Sequence, residues 1–126
     1  MGKVNFDKLI RIAEDLIHLP RHTNKHFSFI LRKNKILSIG WNTLKTSPRA
    51  ARYGFKFPTI HSEISAISRF AYPPAELSRC KLVNVRINRN GQLGMARPCK
   101  YCRPVLLGLD FREIWYSDWN GDFLSL

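Results

Sequence analysis

Between Leu16 and Ser62 the chain contains no aspartate or glutamate, and over all 126 residues only 9 acidic side chains face 21 lysines and arginines, a formal net charge of +12. A stretch so one-signed points to polyanionic or phosphorylated partners. No uninterrupted apolar run approaches the roughly 20 residues that span a bilayer. The N-terminal segment carries Asp7, Glu14 and Asp15 inside its apolar periodicity, which does not suit a targeting peptide. The expectation is a soluble, cytoplasmic protein with no membrane partner. Cysteine is scarce as well: Cys80, Cys99 and Cys102 are an odd set, which suits metal or redox chemistry in a reducing compartment better than a disulfide framework. Repeats and low-complexity tracts are missing. Against these absences stand a hydrophobic content of 44% and 8 Phe, 3 Trp and 4 Tyr, which exclude a disordered basic tail. Residues 1–126 are expected to form one domain around one core.

Apolar residues Phe6, Leu9, Ile10, Ala13, Leu16 and Ile17 recur at helical spacing, with Asn5 as N-cap and Pro20 beyond the end. His26 to Leu31 and Ile36 to Trp41 read as a hairpin around Arg32 to Lys35. Thr43 to Ile60 holds Pro48, Gly54 and Pro58 without periodicity, a long loop of the kind that is usually functional. A helix is expected from His61 to Ala71, a strand from Leu82 to Ile87 and a turn at Asn90-Gly91. A second short helix is expected from Pro98 to Gly108, with proline opening it. Glu113 to Ser117 and Asp122 to Leu126 read as strands around a turn at Asp118 to Gly121. The fold class implied is α/β, helices against one sheet.

Two strings carry chemistry: His61-Ser62-Glu63 and Pro98-Cys99-Lys100-Tyr101-Cys102. Cys99 and Cys102, three apart at the start of a predicted helix, can reach one ion, and a helix N-terminus favours thiolates. One imidazole and two thiolates give zinc three protein ligands and leave a fourth position open, as in catalytic sites. On an ideal helix, residues two apart point to nearly opposite sides. His61 and Glu63 therefore share a centre only if His61 sits at or before the N-cap. Glu63 would then lie beside the metal without ligating it, free to move protons.

The spacing H-x-E followed by P-C-x-x-C resembles that of the zinc-dependent cytidine deaminase-like superfamily. The resemblance covers most of the chain and implies a three-layer fold, with a mixed five-stranded sheet flanked by helices. It implies Zn²⁺ on His61, Cys99 and Cys102, with Glu63 as proton shuttle. Asn42 looks like the family's asparagine after the second strand, which contacts sugar or base, and the backbone of Ser62 would lie against the base edge. Ile39 to Asn42, Lys45-Thr46 and Tyr116-Ser117 also look like small deaminases of phages and large DNA viruses. Departures are visible. Deaminases of free cytidine have cysteine where His61 stands, and polynucleotide-editing enzymes have a serine-rich string where this chain has Met95-Ala96-Arg97. Nine residues, Asp118 to Leu126, follow the fourth predicted strand, too few for a helical crossover, so a C-terminal β-hairpin is expected.

The activity implied is hydrolytic conversion of cytosine to uracil. The wide positive field favours single-stranded DNA or RNA as the substrate, with Trp119 stacking a base and Lys45, Arg49 and Arg52 near the entrance. The alternative is a free nucleotide or nucleoside, deoxycytidylate or cytidine, whose single phosphate those same cations could hold. An alternative of another class, a structural-zinc nucleic-acid-binding module, leaves Glu63 and Pro98 without a role. Cys80 reads as a buried strand residue. Tyr116 and Trp115 alternate in a strand, one side chain toward the core and one toward the surface. Deaminases of this type often associate, so the resemblance leaves a homo-oligomer open.

Overall fold

The computed structural model describes residues 3–20, 24–43 and 61–126. Helix α1 (Phe6–Asp15) starts where expected, and the Asn5 side chain accepts from the Lys8 backbone N–H at 3.1 Å. Strands β1 (Lys25–Arg32) and β2 (Lys35–Trp41) form the expected antiparallel hairpin, turning through Lys33 at a left-handed φ of 56°. Helix α2 (Ser62–Ser68) is followed by a 3₁₀ turn (Pro74–Arg79) and strand β3 (Lys81–Ile87). Strand β4 (Leu93–Gly94), helix α3 (Cys102–Gly108), β5 (Glu113–Ser117) and β6 (Phe123–Ser125) complete the order. No helix among the described residues is long and apolar enough to cross a membrane.

The sheet runs β2-β1-β3-β5-β6, with β4 beside β3. Among the described residues only β3 and β5 pair in parallel, so the sheet is mixed, and β5 and β6 close it as an antiparallel C-terminal hairpin. The path carries the five strands expected. Beyond the Asn90-Gly91 turn, Leu93 and Gly94 pair with Ile87 and Arg86, a sixth strand of two residues too short to show any alternation in sequence.

The strands' period of two creates three layers. Phe27, Phe29, Leu31, Val83, Val85 and Ile87 pack on Leu9 and Ala13 of α1. Ile30, Leu82 and Ile114 point the other way, onto Ile64, Ala66 and Ile67 of α2 and Cys102 and Leu106 of α3. Trp115 and Tyr116 do fall on opposite faces, but neither is a surface residue: Trp115 packs on the α1 layer and Tyr116 is buried. Cys80 lies fully buried in the α2 and α3 layer, one residue ahead of β3.

Both site helices are shorter than expected. α2 stops at Ser68, where Phe70 turns into the core and bonds back to Ile67, ahead of Pro73-Pro74. α3 begins at Cys102 and not at Pro98. Pro104 sets that start, because it has no N–H to donate and is tolerated only in a helix's first turn. Pro98 is instead fully buried in the extended chain that precedes the turn.

Candidate active site

His61 is the N-cap of α2, with extended backbone at φ −77° and ψ 157°, as sharing a centre with Glu63 requires. Its ring crosses to the start of α3, where Nδ1 lies 3.5 Å from Cys99 Sγ and 3.3 Å from Cys102 Sγ. The donor atoms of the three residues all lie within 4.8 Å of one another. Cys99 is not on the helix: it precedes α3 by a turn in which its carbonyl accepts the N–H groups of Cys102 at 3.1 Å and Arg103 at 3.0 Å. That turn brings the two sulfurs to one side in place of the helical spacing expected.

Two thiols and an imidazole of this closeness fit zinc, which prefers sulfur and nitrogen donors. A helix start favours thiolates, but at Cys102 burial works against that while no metal is alongside. Burial pushes its thiol up, and the neighbouring Glu63 and Cys99 push it further. Holding this sulfur as a thiolate takes a cation alongside it, so zinc uptake would displace its proton.

Glu63 sits in the first turn of α2 and is 6% exposed. Its carboxyl group is bonded on both oxygens: Asn84 Nδ2 donates to Oε2 at 3.1 Å, and Ser62 Oγ lies 3.3 Å from Oε1. Ser28 Oγ lies 2.8 Å from Ser62 Oγ and 2.6 Å from Asn84 Oδ1. Asn84 and Ser28 were not anticipated from the sequence, although an asparagine within Leu82-Val83-Asn84-Val85 is a signal, being depleted in strands and costly to bury unbonded.

Helix α2 is buried all round from Ser62 to Ile67. It is stitched to β2 by Ser38 Oγ donating to the Ala66 carbonyl at 2.6 Å and by Ser65 Oγ accepting from the Trp41 N–H at 3.3 Å. Gly40 lies between those bonds. A Cβ there would stand 2.1 Å from the Ala66 nitrogen and 2.4 Å from the Ser62 carbonyl oxygen.

The other expected site residues are distributed more widely. Asn42 follows β2, where its Oδ1 accepts from the His26 N–H at 3.1 Å and its Nδ2 donates to the Asn24 carbonyl at 3.0 Å, so both ends of the amide engage the start of β1. Trp119, in the turn after β5, is 60% exposed, with the Arg86 guanidinium 5.2 Å from its ring centroid. Trp41 carries the Arg69 guanidinium over its ring at 4.1 Å. Lys45, Arg49 and Arg52 lie outside the described residues.

No protein-family model matches the chain, and no curated protein matches it in sequence. Solved structures do. The chain is similar to the dCMP deaminase of the cyanophage S-TIM5 in apo form, with a TM-score of 0.57 and 16% identity over 89% of this chain and 81% of that one. The complex of that enzyme with dCMP and dUMP gives 0.56 and 14% over 90% and 80%. The mixed sheet between α1 on one face and α2 and α3 on the other is thus the cytidine deaminase-like fold, with the His61, Cys99 and Cys102 cluster where α2 and α3 begin.

Proposed function

We propose that the protein is a zinc-dependent hydrolytic deaminase of a free cytosine nucleotide, with deoxycytidylate as the substrate class. The observation that carries the reaction type is the meeting of His61 Nδ1 with both Cys99 and Cys102 sulfurs while Glu63 is buried two residues along. A structural zinc site has no use for an adjacent buried carboxyl group. The choice of nucleotide over polynucleotide is supported by likeness to an enzyme named for dCMP and solved with dCMP and dUMP. It replaces the preference for single-stranded DNA or RNA that charge alone suggests.

His61, Cys99 and Cys102 would hold the metal, which when bound supplies a water acidified enough to act as a nucleophile near neutral pH. Glu63 then does the proton work. It accepts one proton as the water attacks C4 and passes it to the ring nitrogen N3, then takes the second from the new C4 hydroxyl and delivers it to the amine as the C4–N4 bond breaks, so that cytosine and water become uracil and ammonia. The side chains of Asn84 and Ser62 hold the two oxygens that carry those protons. A second reading, action on single-stranded nucleic acid, is favoured by the exposed Trp119 and the +12 charge.

Ammonia release from deoxycytidylate, cytidine and a cytosine-containing oligonucleotide, measured side by side on the zinc-loaded protein, tests the proposal. Deoxycytidylate is expected to be turned over fastest. Glu63→Gln should keep its zinc and lose turnover by about 10²- to 10⁴-fold. Undiminished activity in that variant overturns the mechanism, and no ammonia from any of the three overturns the function. Faster turnover of the oligonucleotide, falling steeply with salt, would transfer the assignment to the second reading.

A further inference from the structure

We infer that Asn84 is a positioning residue that fixes the rotation of the Glu63 carboxyl group, and that Ser28 acts through Asn84 to fix it in turn. The inference rests on the deaminase reading above. It begins from a torsion: the terminal angle of a glutamate is broad and roughly two-fold, so burial of the side chain does not by itself aim the two oxygens. A shuttle that must meet a water, a ring nitrogen and a leaving amine in sequence needs them aimed.

Asn84 supplies that constraint from the sheet. It lies in the middle of β3, directly opposite Ser28 of β1 in the antiparallel register, so its backbone is set by a strand paired on both sides. All the hydrogen-bonding atoms of its side chain are engaged. Nδ2 faces Glu63 Oε2 at 3.1 Å and the Ala96 carbonyl at 3.2 Å, while Oδ1 faces Ser28 Oγ at 2.6 Å. Chemistry permits one orientation of this amide. A peptide carbonyl and a carboxylate only accept, so the NH₂ group must point at them, and the oxygen left over then meets the one partner able to donate, the Ser28 hydroxyl. Flipping the amide would set oxygen against oxygen at Ala96 and Glu63. Ser28 and Ala96 thereby hold the amide, and the amide holds Glu63.

A role in packing alone does not account for the residue. Leu82, on the same face of β3, is fully buried, and an aliphatic side chain at 84 would pack in that layer without polar groups to desolvate. The bond to Glu63 is what an asparagine adds.

The test uses zinc-loaded wild type, Asn84→Ala, the isosteric Asn84→Asp, Ser28→Ala and the Ser28→Ala/Asn84→Ala double variant, with kcat, KM, zinc content and melting temperature for each. Asn84→Ala is expected to lower kcat about 10- to 100-fold with KM within about two-fold and zinc retained, the cost of a misaimed catalytic group. Asn84→Asp keeps the shape but turns an oxygen toward Glu63, and should lose as much. Ser28→Ala should lose less, and the loss in the double variant should fall short of the product of the two single losses, because Ser28 acts mainly through Asn84, its contact with Ser62 being the other route to Glu63. A kcat within two-fold of wild type in both Asn84 variants overturns the inference while leaving the deaminase standing, and so do losses that multiply in the double variant. A wild-type protein that turns over none of the three substrates overturns both.

Discussion

Gly40→Ala is the smallest change that should disable the site without touching it. The glycine is needed here for close approach and not for an unusual φ. A Cβ at this position would stand 2.1 Å from the Ala66 nitrogen, 2.4 Å from the Ser62 carbonyl oxygen and 2.7 Å from the Ala66 Cα. All three are backbone atoms of α2, which cannot swing aside as a side chain can. Restoring an ordinary contact of about 3.4 Å requires α2 to recede by about 1.3 Å from β2. That movement strains the Ser38 to Ala66 and Trp41 to Ser65 hydrogen bonds on either side. It carries His61 and Glu63 away from Cys99 and Cys102, which belong to a separate turn. Overpacking of this kind costs about 1–3 kcal/mol. At roughly 4 °C per kcal/mol for a domain of this size, the melting temperature should fall by about 4–12 °C. Misplacement by about 1 Å should lower kcat about 100-fold. Differential scanning fluorimetry, zinc content by atomic emission and ammonia release would measure all three. The reference case has the opposite sign, since Gly→Ala in an accommodating strand raises stability by about 0.4–1 kcal/mol. A Gly40→Ala protein as stable, as zinc-loaded and as active as the parent would refute the close approach of α2 to β2 as the device that sets the site.

Cys102→Ser should leave the purified protein without stoichiometric zinc, because a serine hydroxyl is a poor substitute for a thiolate ligand; one zinc per chain by atomic emission would contradict the ligand set. Cys80 should resist iodoacetamide at pH 8 in the folded protein and react fully in urea. It is fully buried, and burial pushes its thiol up, with Arg32 opposing and Glu76 adding, so the reactive thiolate is depleted. Rapid labelling of the folded protein at Cys80, read by peptide mass spectrometry, would show that the α2 and α3 layer opens. Asn5→Ala should cost about 1 kcal/mol by removing the cap on Lys8, with little effect on turnover. Equal urea midpoints for the two proteins would refute the cap's contribution.

The meeting of His61, Cys99 and Cys102 was legible because the chemistry of such a cluster fixes residue types and spacing, and because the helical period of α2 demanded a non-helical His61 if it was to face the same centre as Glu63, as found. The start of α3 was misplaced because two prolines compete for it. Pro98 looks like an opening residue until Pro104 is counted, and only the later one is compatible with helix from Cys102. The pairing of Asn84 with Ser28 was missed for a different reason. They are far apart in sequence and carry no motif, and they become partners only through the register that sets β1 against β3. The significance of Gly40 likewise depends on a helix from another part of the chain. What the sequence could not disclose is therefore the set of contacts made across elements, the Asn84 bond to Glu63 among them.

The alternation of β1 and β3 separates two kinds of selection by a single residue. Phe27, Phe29, Val83 and Val85 answer to the packing of α1, while Ser28 and Asn84, between them on the same strands, are bonded toward Glu63 and, on the proposal above, answer to its chemistry. Substitutions can accumulate on one register and be judged by how much folded protein survives, and on the other by how fast it works. Under the proposed reaction, changes at positions 28 and 84 alone would slow turnover while leaving the layer under α1 as it is, an intact scaffold open to a new task.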